Sequence, residues 1–110
     1  MGSGCTFPPM IARIWRGTVA ADRASEYLEV LHKTGLSEYA ATPGCRGIQV
    51  LTRTTGDRTL FTIITQWDSL DAVKAFAGDD PEVAVYYPED DDYLLDRAHT
   101  VEHHEIVHQE

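Results

Sequence analysis

Two β-rich runs on either side of a short turn signal constrain this chain more than any other feature. Residues 46–53 (RGIQVLTR) and 59–67 (TLFTIITQW) flank Thr55-Gly56-Asp57. Branched and aromatic residues favour extended backbone, and glycine supplies the positive φ that a tight reversal needs. The pair therefore reads as an antiparallel hairpin. Side chains alternate across a strand, so Phe61, Ile63 and Trp67 share one face and Leu60 and Ile64 the other. Neither face is cleanly polar, and both need cover.

The flanking segments complete a pattern. Residues 10–18 (MIARIWRGT) form another expected strand, with Ile11, Arg13 and Trp15 on one face and Met10, Ala12, Ile14 and Arg16 on the other. From Asp22 onward, Ala24, Tyr27, Leu28 and Leu31 recur at helical spacing. Asp22 and Glu26 fall near the first turn, where the helix dipole favours acidic groups. Gly35 interrupts this stripe, and Leu36, Tyr39 and Ala40 resume it, which predicts a bend or a second short helix. Pro43-Gly44 ends the element. After residue 67, Asp68 or Ser69 is expected to cap a helix carrying Leu70, Val73, Phe76 and Ala77, closed by Gly78. Residues 79–92 are irregular, with Pro81 and Pro88 placed to open two short helices. Residues 100–108 (TVEHHEIVH) read as the fourth strand.

The predicted order is β-α-β-β-α-β, an α+β fold of ferredoxin-like topology with a four-stranded antiparallel sheet. Residues 1–9 (MGSGCTFPP) read as a flexible leader without a secretory pattern, and residues 10–110 as a single domain. Helices cover only one face of such a sheet, so the second apolar face predicts a homodimer packed sheet to sheet. Nine basic residues against eighteen acidic ones give a net charge of −9, without any basic cluster. Nucleic acid and anionic membrane are disfavoured as partners. No apolar run approaches the ~18 residues of a membrane span. Cys5 and Cys45 form no CxxC pair, and two free thiols in a cytoplasmic protein are expected.

Several segments together resemble the antibiotic biosynthesis monooxygenase family of dimeric α/β-barrel proteins. They are MIARIWRG, ATPGCRG, TQWDSLDAVKAFAG, VAVYYPEDDDYLL and VEHHEIV, spanning roughly residues 10–107. Trp67 followed by Asp68-Ser69-Leu70 and an Ala/Phe-bearing helix is the most specific part. The resemblance implies a pocket between sheet and helices and oxidation of phenolic aromatics by molecular oxygen, with no cofactor. Other members cleave haem, using an asparagine in strand one and a histidine on the helix after the tryptophan. This chain has neither, so haem cleavage is disfavoured.

Five residues are candidates for the site. Trp67 stands where the family's pocket tryptophan would offer its N–H to a substrate oxygen, although a core role is equally compatible. Tyr86 and Tyr87 could donate to a substrate oxygen or carry its proton. His103 and His104 are adjacent on a strand, so they face opposite ways and cannot share a metal; one could act as a base, against a plain interface role. Arg13 and Arg16 are expected to pair with Glu102 or Glu105 rather than to meet a substrate. The run Glu89 to Asp92 lacks calcium-loop spacing and reads as the negative first turn of a helix. The expected function is a cofactor-independent monooxygenase acting on a small aromatic molecule. The alternative is a dimer of the same fold that binds such a molecule without oxygen chemistry.

Overall fold

The sheet is organised around one long antiparallel pair. Strands β1 (Ile11–Ala20) and β3 (Arg58–Trp67) run in register from Ile11 opposite Trp67 to Ala20 opposite Arg58. Both alternate strictly, with Ile11, Arg13, Trp15, Gly17 and Val19 buried in β1 and Thr59, Phe61, Ile63, Thr65 and Trp67 buried in β3. In the computed structural model residues 10–110 are described, and the predicted leader with Cys5 lies outside them. Strand β2 (Cys45–Thr55) pairs with β3 through the expected hairpin. Gly56 has φ +61 and no non-glycine among the described residues has positive φ, which fits a type II′ reversal at Gly56-Asp57.

Helices α1 (Ala24–Lys33) and α2 (Gly35–Ala41) follow β1, and α3 (Leu70–Ala77) follows β3. All three lie against the same sheet face. Tyr27 of α1 stands edge-on to Phe61 with centroids 5.2 Å apart, and Tyr39 of α2 meets Trp67 at 6.3 Å. Phe76 of α3 reaches Trp67 at 6.1 Å. The predicted break between α1 and α2 falls at Thr34, whose hydroxyl bonds back to the Val30 carbonyl at 2.8 Å. Ser69, not Asp68, caps α3 by accepting the Ala72 N–H at 3.2 Å.

The last part of the chain departs from the single strand expected at 100–108. Two short strands, β4 (Leu94–Arg97) and β5 (Glu102–Glu105), share one edge of β1. Gly17 faces Arg97 and Ile14 faces Glu102, so β1 advances three residues while its partner advances five. The two extra residues are thrown out of the ladder as a bulge. The sheet therefore has five strands in place of four and stays open rather than closing into a barrel. Pro81 starts no helix, because the Asp80 side chain accepts the Glu82 N–H at 3.1 Å and holds a turn. Pro88 does open a short 3₁₀ turn, Pro88–Asp92.

The other sheet face presents Ala12, Ile14, Leu60 and Ile64, all half-buried, and Leu51, which is exposed. No helix of the described residues is long and apolar enough to cross a membrane.

Gly44 makes the α2–β2 turn possible. Its φ is +93, and a Cβ there would stand 2.6 Å from the Ala72 Cβ. Its carbonyl also accepts the Asp68 N–H at 2.9 Å, tying the start of β2 to the end of β3. Gly44→Ala is expected to lower stability by about 2–3 kcal/mol, from backbone strain and the clash together; urea unfolding checks this.

Candidate active site

The bulge beside β1 creates the site by capturing a loop. The Ala84 N–H donates to the His99 carbonyl at 3.0 Å and the Val101 N–H to the Glu82 carbonyl at 2.9 Å. Val83 and Thr100 form a bridge. Residues 82–84 are thus stitched to the bulged edge, and the chain beyond them crosses the gap between β1 and α1–α2. Tyr86 is pinned next: its hydroxyl donates to the Ala98 carbonyl and accepts the Trp15 indole N–H at 3.2 Å. Tyr87 and Asp90 follow.

Asp90 is 3% exposed and ties this loop to α1. One carboxylate oxygen accepts the Tyr27 hydroxyl at 3.0 Å and the other the Tyr87 N–H at 2.8 Å. The acidic run expected to charge a helix start therefore spends one member as an internal brace. Arg97 pairs with the next, Asp91, at 2.8 Å.

Beneath the loop lies a narrow cavity of about 20 Å³. Trp15, Tyr27, Tyr39, Ile63, Tyr87 and Asp90 are among its walls. Its enclosed part is tight in this conformation, with room for about one water molecule. Burial pushes the Tyr27 hydroxyl far above the usual phenol range, with Asp90 adding to the effect. Burial also raises Tyr39, against the opposing pull of Arg13. Tyr87 is pushed up to about 12 by burial, with Glu38, Tyr39 and Asp90 adding and Arg13 opposing. All three stay protonated at neutral pH and can donate hydrogen bonds.

The five sequence candidates do not converge on one point. Trp67 is fully buried, and its indole N–H donates to Thr65 Oγ1 at 2.7 Å, so that donor is already engaged. Tyr87 lines the cavity directly, whereas Tyr86 braces its rim. His103 and His104 face opposite ways, as strand geometry requires. His104 lies on the open face, exposed, beside Glu102 at 3.2 Å. His103 stands opposite Arg13 on the helix side, and its Nε2 is buried without a partner.

Sequence reasoning set Arg13 aside as a salt-bridge residue and missed Tyr39 and Asp90. Arg13 and Arg16 were both expected to pair with Glu102 or Glu105; Arg16 does, facing Glu102 at 3.6 Å, and Arg13 does not. The register explains the correction: Ile14 sits opposite Glu102, which puts that carboxylate on the open face with Arg16, away from Arg13. Glu105 lies opposite Ile11 and forms no ion pair among the described residues. Tyr39 was legible only as an apolar-stripe residue, and nothing in the acidic run marks Asp90 apart from its neighbours.

Residues 10–81 match the family model described as antibiotic biosynthesis monooxygenase. The fold is similar to that of a "putative antibiotic biosynthesis monooxygenase" from Caulobacter crescentus, at 21% identity and TM-score 0.64 over 93% of each chain. It is also similar to the heme-degrading protein of Mycobacterium tuberculosis, at 23% identity and TM-score 0.59, over 91% of this chain and 96% of that one. A conserved protein from Methanosarcina mazei aligns at 16% identity and TM-score 0.61, over 87% and 89%. No curated protein sequence matches significantly.

His103 gives the site a pH signature. Burial lowers its pKa below the usual imidazole value, and Arg13 lowers it further. The unfolded chain then takes up this proton first as pH falls. The stability linked to neutral His103 is present above about pH 6.5 and is lost as pH drops from there through the folded value. Denaturant titrations between pH 7.5 and 5 are expected to show this decline, and His103→Gln to flatten it. Carboxylates such as Glu102 and Asp68, whose values are lowered by their partners, act only further down the scale.

Proposed function

The chain belongs to the antibiotic biosynthesis monooxygenase family, and from that premise we propose that it oxidises a small phenolic aromatic molecule with molecular oxygen, without metal or flavin. The observation that carries this reading is the cavity between sheet and helices, walled by Trp15, Tyr27, Tyr39 and Tyr87. Flat aromatic walls suit a flat aromatic substrate, because rings pack edge-on or offset against one another.

The chemistry asks little of the protein. A phenol that loses its proton becomes a phenolate, which can pass an electron to oxygen directly. A carbon–oxygen bond then forms at the ring, and loss of water leaves the quinone. Phenol and O₂ enter; quinone and water leave. His103, neutral and with Nε2 unpartnered, is the base in this scheme. Tyr87 donates to the substrate oxygen or returns a proton. Trp67 and Tyr86 hold the walls, their polar groups already engaged with Thr65, Trp15 and Ala98. Haem cleavage finds no matching donor, since α3 contains no histidine and β1 no asparagine.

The active form in this reading is a cytoplasmic homodimer of a domain spanning residues 10–110. Ala12, Ile14, Leu51, Leu60 and Ile64 form its contact face. Each Å² of apolar surface left wet there costs about 25 cal/mol. His104 and the Arg16–Glu102 pair would lie at the rim of that contact.

An oxygen electrode with phenols and hydroquinones tests the reaction. Oxygen uptake is expected to persist in EDTA and without flavin, and to fall about 100-fold in His103→Ala, the range for loss of a general base. Binding without uptake would favour the non-catalytic alternative. Light scattering tests the assembly: a dimer of the 12.3 kDa chain is expected, converted to monomer by Ile64→Lys. A monomeric mass for the unaltered protein would refute it.

A further inference from the structure

Arg13 is 1% exposed, yet its charge has no countercharge. One terminal nitrogen donates to the Val83 carbonyl at 3.2 Å, and the guanidinium lies over the Phe76 ring, 5.4 Å from its centroid. Nε is buried with no acceptor. No carboxylate among the described residues pairs with it. Glu102 is turned to Arg16 and His104, and Asp90 spends its oxygens on Tyr27 and Tyr87. Beside it on the neighbouring strand, His103 Nε2 is also orphaned. A carbonyl and a ring face compensate a buried cation only in part, and an ionic partner would complete it.

The cavity is where that partner can come from. Arg13 lies directly behind its walls: Trp15, two residues along the same face of β1, lines the cavity, and so does Tyr39, whose ring stands 4.5 Å from the Phe76 ring that Arg13 covers. We infer that the cavity takes an aromatic anion, with a carboxylate or phenolate oxygen set against the Arg13 guanidinium and its rings between Trp15 and Tyr87. Asp90 also lines the cavity, but its two oxygens are already taken by the Tyr27 hydroxyl and the Tyr87 N–H. Arginine is suited to this role, because its charge persists when buried and its planar fork matches a carboxylate or phenolate edge. This deepens the proposed reaction by naming the charge class of its substrate, and it explains how a phenolate would be stabilised inside a core. It is tested by binding alone, so a protein that consumes no oxygen leaves it intact.

The test uses the full chain and two probe pairs. For the carboxylate, 2-naphthoate is compared with its neutral isostere 2-naphthamide by calorimetric titration at pH 7. The anion is expected to bind about tenfold or more tightly, as a charge-assisted pair should. Arg13→Met is expected to abolish that preference, Arg13→Lys to keep part of it, and Arg16→Met, on the open face, to leave it unchanged. For the phenolate, 4-nitrophenol is titrated with and without protein by its visible absorbance. Its ionisation is expected to move to lower pH when bound, which needs no variant and stands even if Arg13→Met fails to fold. Equal affinity for naphthoate and naphthamide together with an unmoved nitrophenol midpoint would overturn the inference. So would a preference that survives in folded Arg13→Met.

Discussion

A guanidinium buried among Phe76, Tyr39 and the Val83 carbonyl is the constraint around which the interior of this protein is arranged. Removing such a charge from water costs several kcal/mol even after relaxation. Burial accordingly drives the Arg13 pKa down from its usual value, and the nearby Tyr39 and Tyr87 hydroxyls oppose that shift. An aliphatic residue at this strand position would make a simpler and more stable core. The fold instead keeps a cation, an unpartnered imidazole nitrogen and high-pKa phenols together under one loop. Local departures from the rules of core construction of this kind concentrate at sites of function.

The edge bulge is what brings these groups together. Had residues 94–105 paired with β1 without interruption, the Ala98–Val101 backbone would have been spent in the ladder. Thrown out, it binds residues 82–84 and anchors Tyr86. The same capture presents the Val83 carbonyl to Arg13 and sets Tyr87 and Asp90 over the cavity. Asp90 then fastens the loop to α1 through Tyr27. The enclosed space is small because this brace is closed. Admitting a ring system requires the Val85–Tyr87 wall to move against the Tyr86 bonds to Trp15 and Ala98 and the Asp90 brace to Tyr27.

The sheet and its helices were legible in the sequence because they rest on strict periodicities. The alternation of β1 and β3, the stripe of α1, the Ser69 cap and the Gly56 turn all appear as local signals. That the two histidines take opposite faces also follows from alternation, but which one faces the helices does not. The bulge was not legible, since TVEHHEIVH carries the same pattern whether or not two residues loop out ahead of it. That one irregularity decides the register of the edge, and hence that Glu102 meets Arg16 and not Arg13. The role of Asp90 was hidden for a related reason. Within Glu89 to Asp92 only the path of the loop, set far along the chain by residues 98–101, determines which carboxylate turns inward. Trp67 stands in the core as a large aromatic at a strand end would, but its N–H partner Thr65 lies two residues back along the same face, a pairing that the pattern allows and does not specify.

The account ties family, cavity and charge into one claim: the space under the loop is a substrate site that holds an aromatic oxyanion against Arg13. A crystal structure with bound 2-naphthoate tests this most directly. The account predicts the carboxylate within hydrogen-bonding distance of the Arg13 guanidinium, the rings between Trp15 and Tyr87, and the Val85–Tyr87 wall displaced to admit them. Naphthoate seated elsewhere, for instance against Arg16 and Arg97 on the open face, with Arg13 still held only by Val83 and Phe76, would contradict it.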